Sequence, residues 1–164
     1  MSIVVDPFYE EGGRVLTPSA FDFVLESELR RAVRSQNFIT LVMLEAKREW
    51  EGMMVSADPG TIHEVAQIII REVRDTDVLG NSESGTLCLV LLDADYDHSA
   101  KVIDRVMTRI DSYEFLTPLR INVGAACYPT HAVDAETLRR QALSRPLVNW
   151  RGHAHAHQQQ HDAN

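Results

Sequence analysis

Residues 78–92, VLGNSESGTLCLVLL, allow few folds. A short apolar run, a small polar turn and a second, nearly unbroken apolar run spell a β-hairpin whose outgoing strand is buried. FITLVMLEA (38–46) and LRINVGAACYP (119–129) are similarly short and rich in β-formers, and read as further strands.

Helical periodicity fills the intervals. From Ser19, the residues Phe21, Val24, Leu25, Leu29, Ala32 and Val33 fall on one face. Asp58-Pro59 supplies an N-cap acceptor and a first-turn proline for a second helix, with Ile62, Val65, Ala66, Ile69 and Val73 as its core stripe. Ser99 to Ile110 is a third helix with Val102, Ile103, Val106 and Ile110 inward, and 134–143 is a short fourth one capped by Asp134. Met53 and Met54 read as loop. Strands separated by helices, plus one antiparallel hairpin, predict an α+β sheet covered by helices. The expected organisation is an arm (1–15), one domain (16–150) and a His/Gln-rich disordered tail (151–164), whose histidines form a flexible cluster.

A net charge of −8 gives no field favouring a polyanion, which argues against nucleic-acid or anionic-membrane partners while leaving room for a small anion in a local basic pocket. Cys88 and Cys127 lie in strand-like runs and read as reduced core residues. With neither a signal pattern nor a membrane-length apolar run, a cytoplasmic protein is expected.

One charged pair stands out. Arg74 and Asp77 form an Arg-x-x-Asp unit at the foot of the second helix, just before the hairpin. Taken alone, it is a solvated i,i+3 ion pair contributing a few tenths of a kcal/mol, roughly.

The arrangement resembles a GGDEF domain, the diguanylate cyclase family, from about Leu16 to Ala142. The opening helix (LT…F…L..ELRRA.R), ITLVMLE, VRDTDVLG and RINVGAACYP carry the resemblance, and between Ile62 and Arg105 the family pattern lies down without a gap. Its five signature positions fall on Glu83-Ser84-Gly85-Thr86-Leu87. Where the family has phosphate-approaching glycines, this chain has Glu83 and Ser84; where it has a metal carboxylate, this chain has Gly85. Glu45 stands where a strand-end aspartate shares the metal, and Pro59 takes the place of an aspartate at the next helix start. The resemblance therefore implies a degenerate member without catalytic residues, metal or cofactor, and not an enzyme.

It also implies a retained inhibitory-type site. In many family members Arg-x-x-Asp, five residues before the signature, binds cyclic di-GMP, with a further arginine reaching in from a neighbouring subunit or site. Arg74, Asp77 and Arg105 match those positions, and Arg71 one turn earlier is an auxiliary. Guanidinium forks grip phosphate or guanine O6/N7, and a carboxylate accepts from guanine N1–H and N2–H₂. The expected function is a catalytically inactive cyclic di-GMP receptor, signalling to a partner protein or through homodimerisation. The alternative is a ligand-independent interaction or dimerisation module. A receptor needs Arg74 and Asp77 free and convergent, whereas a docking module tolerates their pairing with each other.

Overall fold

The computed structural model describes residues 8–10 and 14–151. The tail and much of the arm expected from the sequence lie outside these residues. The elements run α1 (Pro18–Ser35), β1 (Ile39–Trp50), β2 (Met53–Ser56), α2 (Pro59–Glu72), β3 (Val78–Asn81), β4 (Leu87–Leu92), α3 (Tyr96–Asp111), β5 (Arg120–Tyr128), α4 (Ala135–Ser144) and β6 (Pro146–Arg151).

The sheet has the order β3-β4-β1-β5-β6, with β2 extending the far end of β1. All the strand pairings are antiparallel. β1 is central: Ile39 to Leu44 pair with Leu92 to Leu87 on one side and with Tyr128 to Val123 on the other. Side chains alternate across it. Val42 and Leu44 enter a core with Val65 and Ile69 of α2 and Val106, Met107 and Ile110 of α3. Leu41 and Met43 enter a second core with Phe21, Leu25 and Leu29 of α1 and Leu138 of α4. Each fully buried Leu or Ile contributes roughly 1.5–3 kcal/mol, so helices on both faces are what keep this strand in place.

The helix starts follow local chemistry. Thr17 caps α1, its side chain accepting from the Ala20 N–H, with Pro18 in the first turn. Asp134 caps α4 by accepting from the Thr137 N–H. Asp58 stands at the N-cap of α2, but its carboxylate accepts from the Thr61 hydroxyl at 2.9 Å instead of a backbone amide. α1 ends on Gln36 in the left-handed region.

Three expectations change. Met53 and Met54 are not loop but strand β2, because Glu51 and Gly52 both take positive φ (50° and 79°) and turn the chain tightly back on β1. A sixth strand, 146–151, extends the sheet beyond β5. Val33 is 55% exposed, one position off the buried stripe occupied by Ala32. Cys88 and Cys127 are free and buried, and burial pushes the Cys88 thiol up to about 11. Among the described residues, no helix is long and apolar enough to cross a membrane.

Gly124 brings β5 close against the end of α4. A Cβ there would lie 1.9 Å from the Ala142 carbonyl oxygen, a backbone atom that cannot swing aside. Gly124→Ala is expected to cost about 3 kcal/mol, at the upper end for overpacking, read as a lower midpoint in chemical denaturation. An unchanged midpoint would mean that α4 can shift away from β5 without loss.

Candidate functional site

α2 ends at Glu72, and the chain must turn at once into β3. Asp77 makes that turn. One carboxylate oxygen accepts from the Arg74 N–H at 3.0 Å, and the other accepts from the Leu92 N–H at 3.1 Å. The Asp77 N–H in turn donates to the Arg74 carbonyl at 3.0 Å. The Asp77 side chain is only 3% exposed, and its two bonds, the one from Leu92 partly buried and the one from Arg74 at the surface, fix the α2–β3 turn against the end of β4.

Arg74 stands on that platform. Its guanidinium donates to the Leu92 carbonyl, and its Nε lies 3.6 Å from Asp77 Oδ2. The side chain nevertheless remains 60% exposed, which leaves donors directed to solvent. The predicted pair is thus brought together, but closed on itself: Asp77 is engaged with the backbone and is not free.

Arg105 arrives from α3. Its Nη2 donates to the Glu72 carbonyl at 2.7 Å and its Nε lies 3.3 Å from the Glu72 carboxylate. The C-terminus of a helix carries partial negative charge, so an arginine there is doubly favoured. Arg109, one turn further along α3, meets the other Glu72 oxygen at 3.1 Å. The Arg105 head is 55% exposed, as expected for a residue at the edge of the apolar stripe, and Arg71 is also exposed. Arg71, Arg74, Arg105 and Arg109 gather at this end of α2, interleaved with Glu72, Asp77 and the exposed Asp75 and Asp104.

Glu72 and Arg109 were missed in the sequence. The available signal was Arg105 and Arg109 at i,i+4 on α3, a spacing that lets two guanidinium groups meet one carboxylate.

The β3–β4 turn is built from hydroxyls. Ser82 N–H donates to the Thr86 carbonyl at 2.8 Å, Ser82 Oγ accepts from the Thr86 N–H at 3.1 Å, and Ser82 and Ser84 share a hydroxyl hydrogen bond at 2.8 Å. Gly85 has φ +82°, a backbone state that favours glycine, so a carboxylate-bearing residue there would be strained. Glu45 lies 3.2 Å from Lys47 and 43% exposed, and the Asn122 side-chain amide donates to it at 3.5 Å.

Comparison with known proteins places this geometry. No family profile matches the chain, and no curated protein matches it in sequence. Solved structures do. A DGC protein from Thermotoga maritima aligns at 16% identity over 81% of this chain and 96% of that one, with TM-score 0.68. The GGDEF domain of DgcB from Caulobacter crescentus, in complex with c-di-GMP, aligns at 14% identity over 88% of each chain, with TM-score 0.71. The diguanylate cyclase SiaD of Pseudomonas aeruginosa, in complex with its activator SiaC, aligns at 17% identity over 79% of this chain and 54% of that one, with TM-score 0.62. The fold is GGDEF-like.

These neighbours overturn the expectation of a non-enzyme. SiaD is a diguanylate cyclase and the Thermotoga structure a DGC protein, so the fold adopted here is one that enzymes share. A chain cannot be set outside them on its hairpin residues alone.

The unequal burial of the pair yields a direct expectation. Asp77→Ala removes the acceptor for two backbone amides and should cost about 2–3 kcal/mol of stability, whereas Arg74→Ala should cost less than about 1 kcal/mol. Urea titration of both variants measures this. Equal losses would show that Asp77 is not what holds the turn.

Proposed function

We propose that this chain is a cyclic di-GMP-binding domain of GGDEF-like fold with a degenerate signature. In this reading Arg74 and Arg105 grip the ligand and Asp77 holds Arg74 in position, with Arg71 steering from one turn away. Binding is reported to a partner protein or through association of two copies.

One observation carries the reading. The Arg74 guanidinium is held along its Nε–Nη2 edge by Asp77 and the Leu92 carbonyl yet is mostly exposed, next to an α2 C-terminus that also receives Arg105. An anchored, solvent-facing fork has lost part of its rotamer freedom before a ligand arrives, so bidentate recognition of phosphate or a guanine edge costs less entropy. Support of a coarser kind comes from DgcB, whose GGDEF domain was solved with c-di-GMP, and from SiaD, solved with a protein activator.

Asp77 takes a different part from the one expected. With both oxygens accepting from backbone amides and the side chain 3% exposed, it acts on a ligand through Arg74 and not as the guanine acceptor. Glu72 is a competitor: it already holds Arg105, and a ligand phosphate must share or displace it.

The second reading, a ligand-independent interaction module, has its own observation. Arg74 and Asp77 pair with each other, which a docking surface tolerates and an open receptor site does not require.

Isothermal titration with cyclic di-GMP separates the two. Wild type is expected to bind, Arg74→Ala to weaken binding by about 1–3 kcal/mol, and Glu72→Gln to tighten it by up to about 1 kcal/mol by freeing Arg105. No binding by wild type would leave the interaction module, and equal titration of wild type and Arg74→Ala would remove Arg74 from the site.

A further inference from the structure

The strands β3 and β2 treat their outer edges differently. β3 is met by Leu16, whose N–H donates to the Leu79 carbonyl at 2.9 Å and whose carbonyl accepts from the Asn81 N–H at 3.0 Å. β2 has β1 on one side, and among the described residues nothing pairs with its other side. Its sequence, Met53-Met54-Val55-Ser56, holds neither charge nor proline. Those are the residues that ordinarily keep an edge strand from pairing with another chain.

The turn decides which main-chain groups are open. Glu51 and Gly52, both at positive φ, form a two-residue turn, so the flanking Trp50 and Met53 exchange main-chain bonds. Bonded pairs recur at every second position of an antiparallel ladder, which makes Arg48 and Val55 the next pair. The Ala57 N–H donates to the Ala46 carbonyl at 2.9 Å, as that alternation requires. Met54 and Ser56 therefore direct their N–H and C=O groups outward. Both residues are exposed, as are Trp50 and Met53 at the end of the ribbon. Outward donors and acceptors two residues apart are what an added strand recognises.

We propose that β2 pairs antiparallel with β2 of a second copy of this chain, about a two-fold axis at Val55, and that this association needs no ligand. In that register Met54 of each copy exchanges both main-chain bonds with Ser56 of the other, and Val55 lies against Val55. The open groups thus match themselves, which favours a copy over an unrelated strand. Charge agrees. Glu49 stands cross-strand from Met54 and Lys47 from Ser56, so a row that begins on Glu49 of one copy ends on Lys47 of the other. The two Arg48 residues are kept apart by both valines, three strand spacings or about 14 Å, which exceeds the screening length of about 8 Å at physiological salt.

Sedimentation velocity over a concentration series, with amide hydrogen exchange at its two ends, tests the proposal. Wild type should move from monomer toward dimer as concentration rises. The Met54 and Ser56 amides should gain protection with it, while those of Met53 and Val55 are protected throughout. Val55→Glu places a carboxylate opposite Arg48 within each chain, which supports the hairpin, but sets two carboxylates against each other at the axis. It should weaken association roughly tenfold or more. Met54→Pro removes an outward N–H that the hairpin does not use and should abolish association, with Met53 amide protection as the check on folding. A wild type that stays monomeric at millimolar concentration, a dimer with unprotected Met54 and Ser56 amides, or either folded variant associating as wild type does would overturn the proposal.

Discussion

The rest of the structure depends on β1 being paired along both edges and covered on both faces. From Ile39 to Leu44 every residue has a partner in β4 and another in β5, and all six are buried. A strand so placed cannot slip by one residue without exchanging its two cores: Val42 and Leu44 would leave the α2–α3 side as Leu41 and Met43 entered it. That fixed register sets where β4 ends, and the end of β4 is where the turn carrying Arg74 and Asp77 is tied.

Leu92 is the link. Its N–H bonds to Asp77, its carbonyl accepts from Arg74, and its Cα partner across the sheet is Ile39 of β1. The turn carrying the arginine is therefore tied to the central strand through two backbone groups. A mobile surface arginine loses substantial rotamer entropy on gripping a ligand, and one tied in this way loses less. The same ties explain why the side chain of Asp77, a surface-loop acid in the sequence, is almost fully covered.

Much of the fold was legible because its signals are local. Asp58-Pro59 and Asp134 announce helix starts, and the apolar runs 38–46, 87–92 and 119–129 announce strands too short and too apolar for anything but a covered sheet. What was not legible is set by partners distant in sequence or by backbone angles. β2 was hidden because Met53 and Met54 are exposed and their strand state comes from a positive-φ turn at Glu51-Gly52. Val33 looked like core because a helical stripe has a blurred edge, and tertiary packing decided in favour of Ala32. At the site, the proximity of Arg74 and Asp77 could be read from spacing, but the burial of the carboxylate could not, since it depends on Leu92, fifteen positions away. Glu72 stayed unseen for the same reason, as its partners lie on another helix.

The central claim is that a cyclic dinucleotide meets this chain at the C-terminal end of α2. Arginine side-chain Nε–Hε resonances, followed during titration with cyclic di-GMP, report on it directly. The account predicts that the signals of Arg74 and Arg105 move together with the Leu92 amide while the amides of residues 82–86 stay in place. Shifts confined to residues 82–86 and the start of α2, with Arg74 and Arg105 unmoved, would contradict it.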